Sequence, residues 1–225
     1  KKQMLMYDME LTFDTGLKLL EKLEVTVEEV PITNINVEEL IHLPKMTDPY
    51  KLAAMGILMG IGFIAYFSHQ ALDLELPIIL TIINLAIKYG NSVESVYIYV
   101  CYGLIVCDRF SDINTGYSYG KLALNLSEQF DNQVIRFRIL MLWYSHIIYW
   151  KQHFRVSIVP LQEIAEYGWK IGETDFLGFA YTFNMFIMLF AGENLITVSA
   201  YLENCAALIS HRKLDWHTQN IKTWQ

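Results

Sequence analysis

The sequence is poor in the residues that build closed chemical sites. Its only cysteines are Cys101, Cys107 and Cys205. None forms a CxxC pair, and an odd number cannot close a disulfide framework. All three lie in apolar helical runs, where a thiol acts as a small buried hydrophobe in a reducing compartment. Basic clusters are missing too. No run of Lys and Arg exceeds two residues and the formal charge is -7, which argues against nucleic acid as a partner, since phosphate binding needs a basic stripe. There is no GxxxxGK[ST], no GxGxxG after a strand and no G-x-S-x-G. The Gly60–Ile61–Gly62 string falls inside a helical run. Among His42, His69, His146, His153, His211 and His217, no two are spaced i, i+4, and none pairs with a nearby cysteine. No metal, cofactor or catalytic residue is expected from these patterns. The acidic pairs Glu28–Glu29 and Glu38–Glu39 read as solvated faces. No alternating strand pattern occurs outside residues 24–35.

What is present is helix, in pairs. Apolar residues make up 53% of the chain, and long apolar stretches close on turns at Gly90, Asp131, Asp175 and Asp215. These landmarks lie roughly 41, 44 and 40 residues apart, in the range of two-helix solenoid units. Such a unit cannot bury its apolar face alone and must stack on its neighbours, which creates a binding surface. The expected fold is all-α: a tetratricopeptide-like superhelix of antiparallel helix pairs, repeating about every 40–44 residues. One helical-repeat domain is expected over 1–225. Residues 1–23 would form a partial repeat, 24–46 a connection with a short helix, and 47–225 about four hairpins.

Local signals place the helices. Leu5, Met9, Phe13, Gly16, Leu17, Leu20 and Leu23 mark one face of a first helix over 4–23. It reads as the second helix of a repeat whose first is cut away, so the chain is expected to be a piece of something larger. Pro31 sits in an extended linker. Asn36 caps a short helix, with Glu39 completing a capping pattern. Thr47 or Asp48 caps the next helix, with Pro49 in its first turn, running to about Ser68. Pro77 opens a helix reaching Lys88 and stopped by Gly90. Further helices are expected over Val93–Cys107, Ile113–Phe130, Asn132–Lys151, Val156–Ile171, Phe176–Ala191 and Leu195–Arg212. Glycines four apart, at 56/60, 116/120 and 168/172, predict close helix crossings, with Gly103 another; Gly172 alternatively serves as a C-cap.

Leu52–Phe67 is a run of about 16 uncharged residues, short of the roughly 20 a spanning helix needs. It is expected to be a buried solenoid helix, with no membrane span. A few polar side chains interrupt apolar helices: Tyr97, Tyr99, Tyr144, His146 and Asn184. They are the candidates for a ligand or partner groove, or else they bond neighbouring helices and fix packing.

The strings ELIHLPKMTDPYKLAAMGIL, NLAIKYGNSVESVYIYVCYGLI, FSDINTGYSYGKLAL and FAGENL resemble one region of the large multi-sensor signalling kinases of bacteria, common in cyanobacteria. The likeness runs from about Leu11 to Tyr201. Those proteins join a Ser/Thr kinase-like domain, an AAA/STAND-type ATPase, a tetratricopeptide-like helical region, a GAF domain and usually a histidine kinase. The match is to the helical middle. No H-R-D, D-F-G or Walker lysine is present, so no family activity transfers to a residue here. The resemblance implies a non-catalytic, cytoplasmic regulatory segment of a parent kinase. Its partner would be another protein or the neighbouring domains of the same chain, with a small-molecule effector or a passive spacer role as alternatives.

Overall fold

In a computed structural model, residues 2–28, 36–67 and 72–210 are described, excluding the side chains of 2–10, 67, 72, 174–175 and 209–210. Residues 29–35 with Pro31, the helix end at Ser68, His69, His211, Arg212, Asp215 and His217 lie outside the described residues. Among the described residues every element is helical, apart from one isolated bridge between Lys45 and Asn91. The α-helices are α1 (Lys2–Lys22), α2 (Pro49–Phe67), α3 (Leu72–Tyr89), α4 (Val93–Asp108), α5 (Ile113–Ser127), α6 (Gln133–Leu142), α7 (Arg155–Ile171), α8 (Thr174–Phe190) and α9 (Leu195–Ser210). The chain divides into two compact units. One is 1–102 with 121–126; the other is 103–120 with 127–225.

In the first unit α1 packs on α2 and α2 on α3. Gly16 lets α1 approach Ile57 and Ile61 of α2. The Asp48 carboxylate accepts from the amides of Tyr50 (2.9 Å) and Lys51 (3.2 Å), so Asp48 rather than Thr47 caps α2. Such a cap is worth about 1 kcal/mol. Asn36 caps as expected, accepting from Glu38 N, but the element it opens is a 3-10 helix over Val37–His42. Gly90 ends α3 at φ 105°. A side chain there would collide with the Pro44 carbonyl, because the 44–46 strap runs alongside: Asn91 N donates to Pro44 O (2.7 Å) and Met46 N to Asn91 O (2.8 Å).

Three expectations are corrected in this unit. Pro77 does not open α3, which begins five residues earlier at Leu72. A proline near a helix start removes one backbone bond, and Asp73 and Glu75 in the first turn favour the positive end of the helix dipole. Gly56 and Gly60 are not a crossing. Both are exposed, and a methyl group at either meets nothing within 4 Å. The helix that carries them is not the buried one anticipated: only 28% of Pro49–Tyr66 is buried. By length and composition alone, that segment is long and apolar enough to cross a membrane.

In the second unit α6 packs on α7, α7 on α8 and α8 on α9. Phe137, Leu161, Leu177, Met185 and Leu202 are among its buried core. Here the glycine expectation holds. A Cβ on Gly103 would lie 2.6 Å from Gly116 O, and one on Gly116 would lie 2.5 Å from Gly103 O. The α4 and α5 backbones therefore touch. Gly120 abuts the Trp143 indole, and Gly168 abuts Phe137 (2.6 Å) and Leu177 (3.2 Å). Gly172 is the C-cap of α7 at φ 76°, with open space around it, so 168/172 is one contact and one cap.

The helix expected over Asn132–Lys151 breaks into three parts. Asn132 caps α6 through Ile135 N (3.0 Å). At Trp143 the backbone enters a π turn to Ile147, then a 3-10 turn over Ile148–Trp150. The π turn buries Trp143, Ser145 and Ile147. Alternate residues point to opposite sides of a helix, so this turn is enclosed on more than one side.

Candidate functional site

Among the described residues, one site that can admit a ligand is an open cleft in the second unit, with a volume of about 710 Å³. One wall is the face of α6 that presents Arg136 and Leu140, continued by Tyr144 of the π turn; the other is the face of α7 that presents Pro160, Glu163, Ile164 and Tyr167. Both sets follow i, i+3, i+4 steps, so each is one helix face. The α5–α6 turn, Ser127–Asn132, closes one end.

Its chemistry is mixed. Leu140, Ile164 and Pro160 supply apolar floor; Tyr144 and Tyr167 supply rings with hydroxyls. Glu128, Asp131 and Glu163 contribute three carboxylates against the single guanidinium of Arg136. Arg136 reaches Glu128 at 3.8 Å, but both are well exposed (47% and 71%), so this contact is weak. Asp131 and Glu163 make no ion pair among the described residues. A different arginine braces the wall. Arg138 donates from Nη2 (2.7 Å) and Nε (3.2 Å) to Glu173 Oε1 and lies 4.2 Å above the Phe176 ring. That pair is largely buried (19% and 11% exposed) and ties α6 to the α7–α8 turn.

Of the sequence candidates, only Tyr144 lines the cleft. Tyr97 and Tyr99 belong to the first unit and are buried there. Tyr97 stacks on Phe63 at 6.2 Å, and the Tyr99 hydroxyl donates to Asn91 Oδ1 (2.9 Å). Asn91 in turn donates from Nδ2 to Leu40 O (2.8 Å), so Tyr99 secures the short 3-10 helix.

His146 and Asn184 lie in the second unit. Ser145 Oγ donates to Met141 O (2.6 Å) and sits 2.5 Å from His146 Nδ1. A hydroxyl whose proton is on the carbonyl must accept from the ring, which assigns the proton to Nδ1 and the lone pair to Nε2. This is not a nucleophile–base pair, because the base holds its proton toward the hydroxyl. The ring meets Phe183 edge-on at 4.3 Å. Burial lowers its pKa to about 4, against a small opposing pull from Asp108.

Asn184 is fully buried, and neither end of its amide closes a hydrogen bond. Its polar neighbour is the Tyr201 hydroxyl, which is also left without a bond; burial drives the Tyr201 pKa upward despite the amide beside it. Burial likewise pushes the Cys205 thiol up to about 12 and Cys101 to about 12. Cys107 and Cys205 are buried, and all three cysteines are free thiols. Among the described residues no three His, Cys, Asp or Glu side chains gather at metal-binding distance.

The cleft residues other than Tyr144 were missed by a reading that sought polar residues interrupting apolar helices. Their signal was available as two periodic faces, 136/140/144 and 160/163/164/167, either side of a capped turn. No protein-family model, curated protein or solved structure matches the chain.

Proposed function

We propose that this chain is a non-catalytic interaction module, a tetratricopeptide-like array of helix pairs whose second-unit cleft receives a segment of another protein or of a neighbouring domain. The observation that carries the reading is the open cleft between the α6 and α7 faces, large enough for several side chains and lined by both rings and charges. Interfaces favour aromatic anchors within a polar rim, which is how Tyr144, Tyr167 and the surrounding carboxylates are arranged. The succession of paired helices and the forty-residue recurrence support the superhelical reading. The resemblance to multi-sensor kinases supports a regulatory, cytoplasmic role between an ATPase switch and output domains. There, a bound segment acts only by favouring one state of the array over another.

The test is selection of binders from a random peptide display library, followed by titration against Tyr167→Ala and Gln133→Trp. The first removes a wall of the cleft and the second fills its mouth. Selected peptides should weaken by about tenfold or more on both, with helicity retained by circular dichroism; a tenfold change corresponds to about 1.4 kcal/mol. Peptides that bind both variants as well as the parent would remove the cleft from the account.

A further inference from the structure

The proposed partner cleft carries more acidic than basic side chains, and that asymmetry selects what fits it. Glu128, Asp131 and Glu163 border it, while Arg136 is the one cation among its lining residues. Arg136 leans on Glu128 alone, at 3.8 Å and in full view of water. Asp131 stands in the α5–α6 turn and Glu163 on α7, and neither has an ionic partner in the described structure. The half-buried rings of Tyr144 and Tyr167 line the same cleft. Aromatic faces attract cations and carboxylates pair with them, so rings flanked by unpaired acids form a surface complementary to lysine or arginine side chains. The same surface opposes an acidic segment through like-charge repulsion. The overall charge of -7 adds a long-range field of the same sign, which would speed the approach of a basic segment.

We infer that the occupant of the α6–α7 cleft is a basic linear peptide segment, one that sets Lys or Arg side chains between Asp131 and Glu163 and over the Tyr144 and Tyr167 rings. This rests on the reading of the cleft as a partner site and adds the partner's chemistry. The recognition is charge-based, so affinity should fall as salt rises.

The experiment uses the full chain and fluorescence anisotropy with a labelled lysine-rich dodecapeptide and its glutamate-for-lysine and glutamine-for-lysine counterparts. The variants are Asp131→Asn with Glu163→Gln in the cleft, and Glu38→Gln with Glu39→Gln on the short helix of the first unit. Both doubles remove the same net charge, and all four side chains are exposed, so the comparison separates a local site from a global field. The expected result is binding of the lysine peptide and not of the glutamate peptide. It should weaken about tenfold in the cleft double and little in the control double, since two exposed ion pairs at their usual strength amount to about that factor. Glu163→Arg should abolish lysine-peptide binding and admit the glutamate peptide. Equal loss in both doubles, or equal binding of all three peptides, overturns the charge inference. If the glutamine peptide still binds and Gln133→Trp blocks it, the cleft remains a partner site of other chemistry. If no peptide responds to Gln133→Trp, the partner-site reading falls as well.

Discussion

Two pairs of glycines, each spaced by four, should respond to alanine with opposite signs. At Gly116 a new Cβ would sit 2.5 Å from Gly103 O and 3.0 Å from Cys107 N, and it would also press on the Cys107 sulfur. At Gly120 it would sit 2.7–2.8 Å from the Trp143 indole. Backbone and a rigid indole cannot step aside as a flexible side chain can, so α5 must move away from its neighbours by something near 1 Å. Overpacking of this kind costs about 1–3 kcal/mol, against roughly 1 kcal/mol returned by replacing a helical glycine with alanine. Gly116→Ala should therefore lose up to about 2 kcal/mol. Gly56 and Gly60 have nothing within 4 Å and sit in the interior of α2. Only the propensity term acts there, and the Gly56→Ala/Gly60→Ala double should gain about 1–2 kcal/mol. Urea unfolding measures both. All 5 tryptophans follow residue 142, so indole fluorescence reports the second unit. The first unit is followed through amide exchange of α2. With a slope of about 2 kcal/mol per molar urea, the Gly116→Ala midpoint should fall by up to roughly 1 M. A stabilised Gly116→Ala, or a destabilised Gly56/Gly60 double, would refute the assignment of which pair is a crossing.

Asn184→Leu keeps a branched shape while removing a buried amide with no hydrogen bond, so stability should rise by about 1 kcal/mol in urea; a clear loss would mean that the amide is bonded in solution. His146 has a folded pKa of about 4, below its unfolded value near 6.5. The unfolded chain therefore takes up the proton first. Its contribution is complete above about pH 6.5 and is lost as pH falls toward 4, by on the order of 2–3 kcal/mol. His146→Leu should flatten that part of the stability–pH curve, and an unchanged slope would contradict the assignment. Cys205, buried and with its thiol pushed up to about 12, should resist a disulfide reagent at pH 8 until the protein unfolds; rapid labelling in native protein would count against its burial.

Much of the helical order was legible from short-range chemistry. Asp48 with Pro49, Asn36, Asn132, Gly90 and Gly172 act through bonds and dihedral angles within a few residues of themselves, so their roles can be read locally. Apolar periodicity located the helices because burial of one face imposes the 3.6-residue step. Pro77 misled because proline favours the first turn of a helix, whereas here it is the sixth residue of α3 and removes one intrahelical bond. The π turn at Trp143 left no local signal, since it depends on what surrounds that indole.

The candidate site was less legible. Tyr97, Tyr99, His146 and Asn184 stand out in sequence as polar residues among apolar ones; the first two and Asn184 proved to be buried in their units, and His146 half-buried against Phe183. Only Tyr144 of that set faces the cleft. Its companions on α7 look like ordinary amphipathic-helix residues until α6 is laid against them.

By itself, then, the sequence determined the helical class, most of the helix boundaries, the caps and the acidic balance, because these follow from neighbouring residues and composition. Only tertiary structure decided which glycine pair is a helix crossing, which of the polar residues are enclosed, and that Asp131, Glu163, Tyr144 and Tyr167 share one opening. Those depend on distances between residues far apart in the chain, which side-chain periodicity orients but does not set.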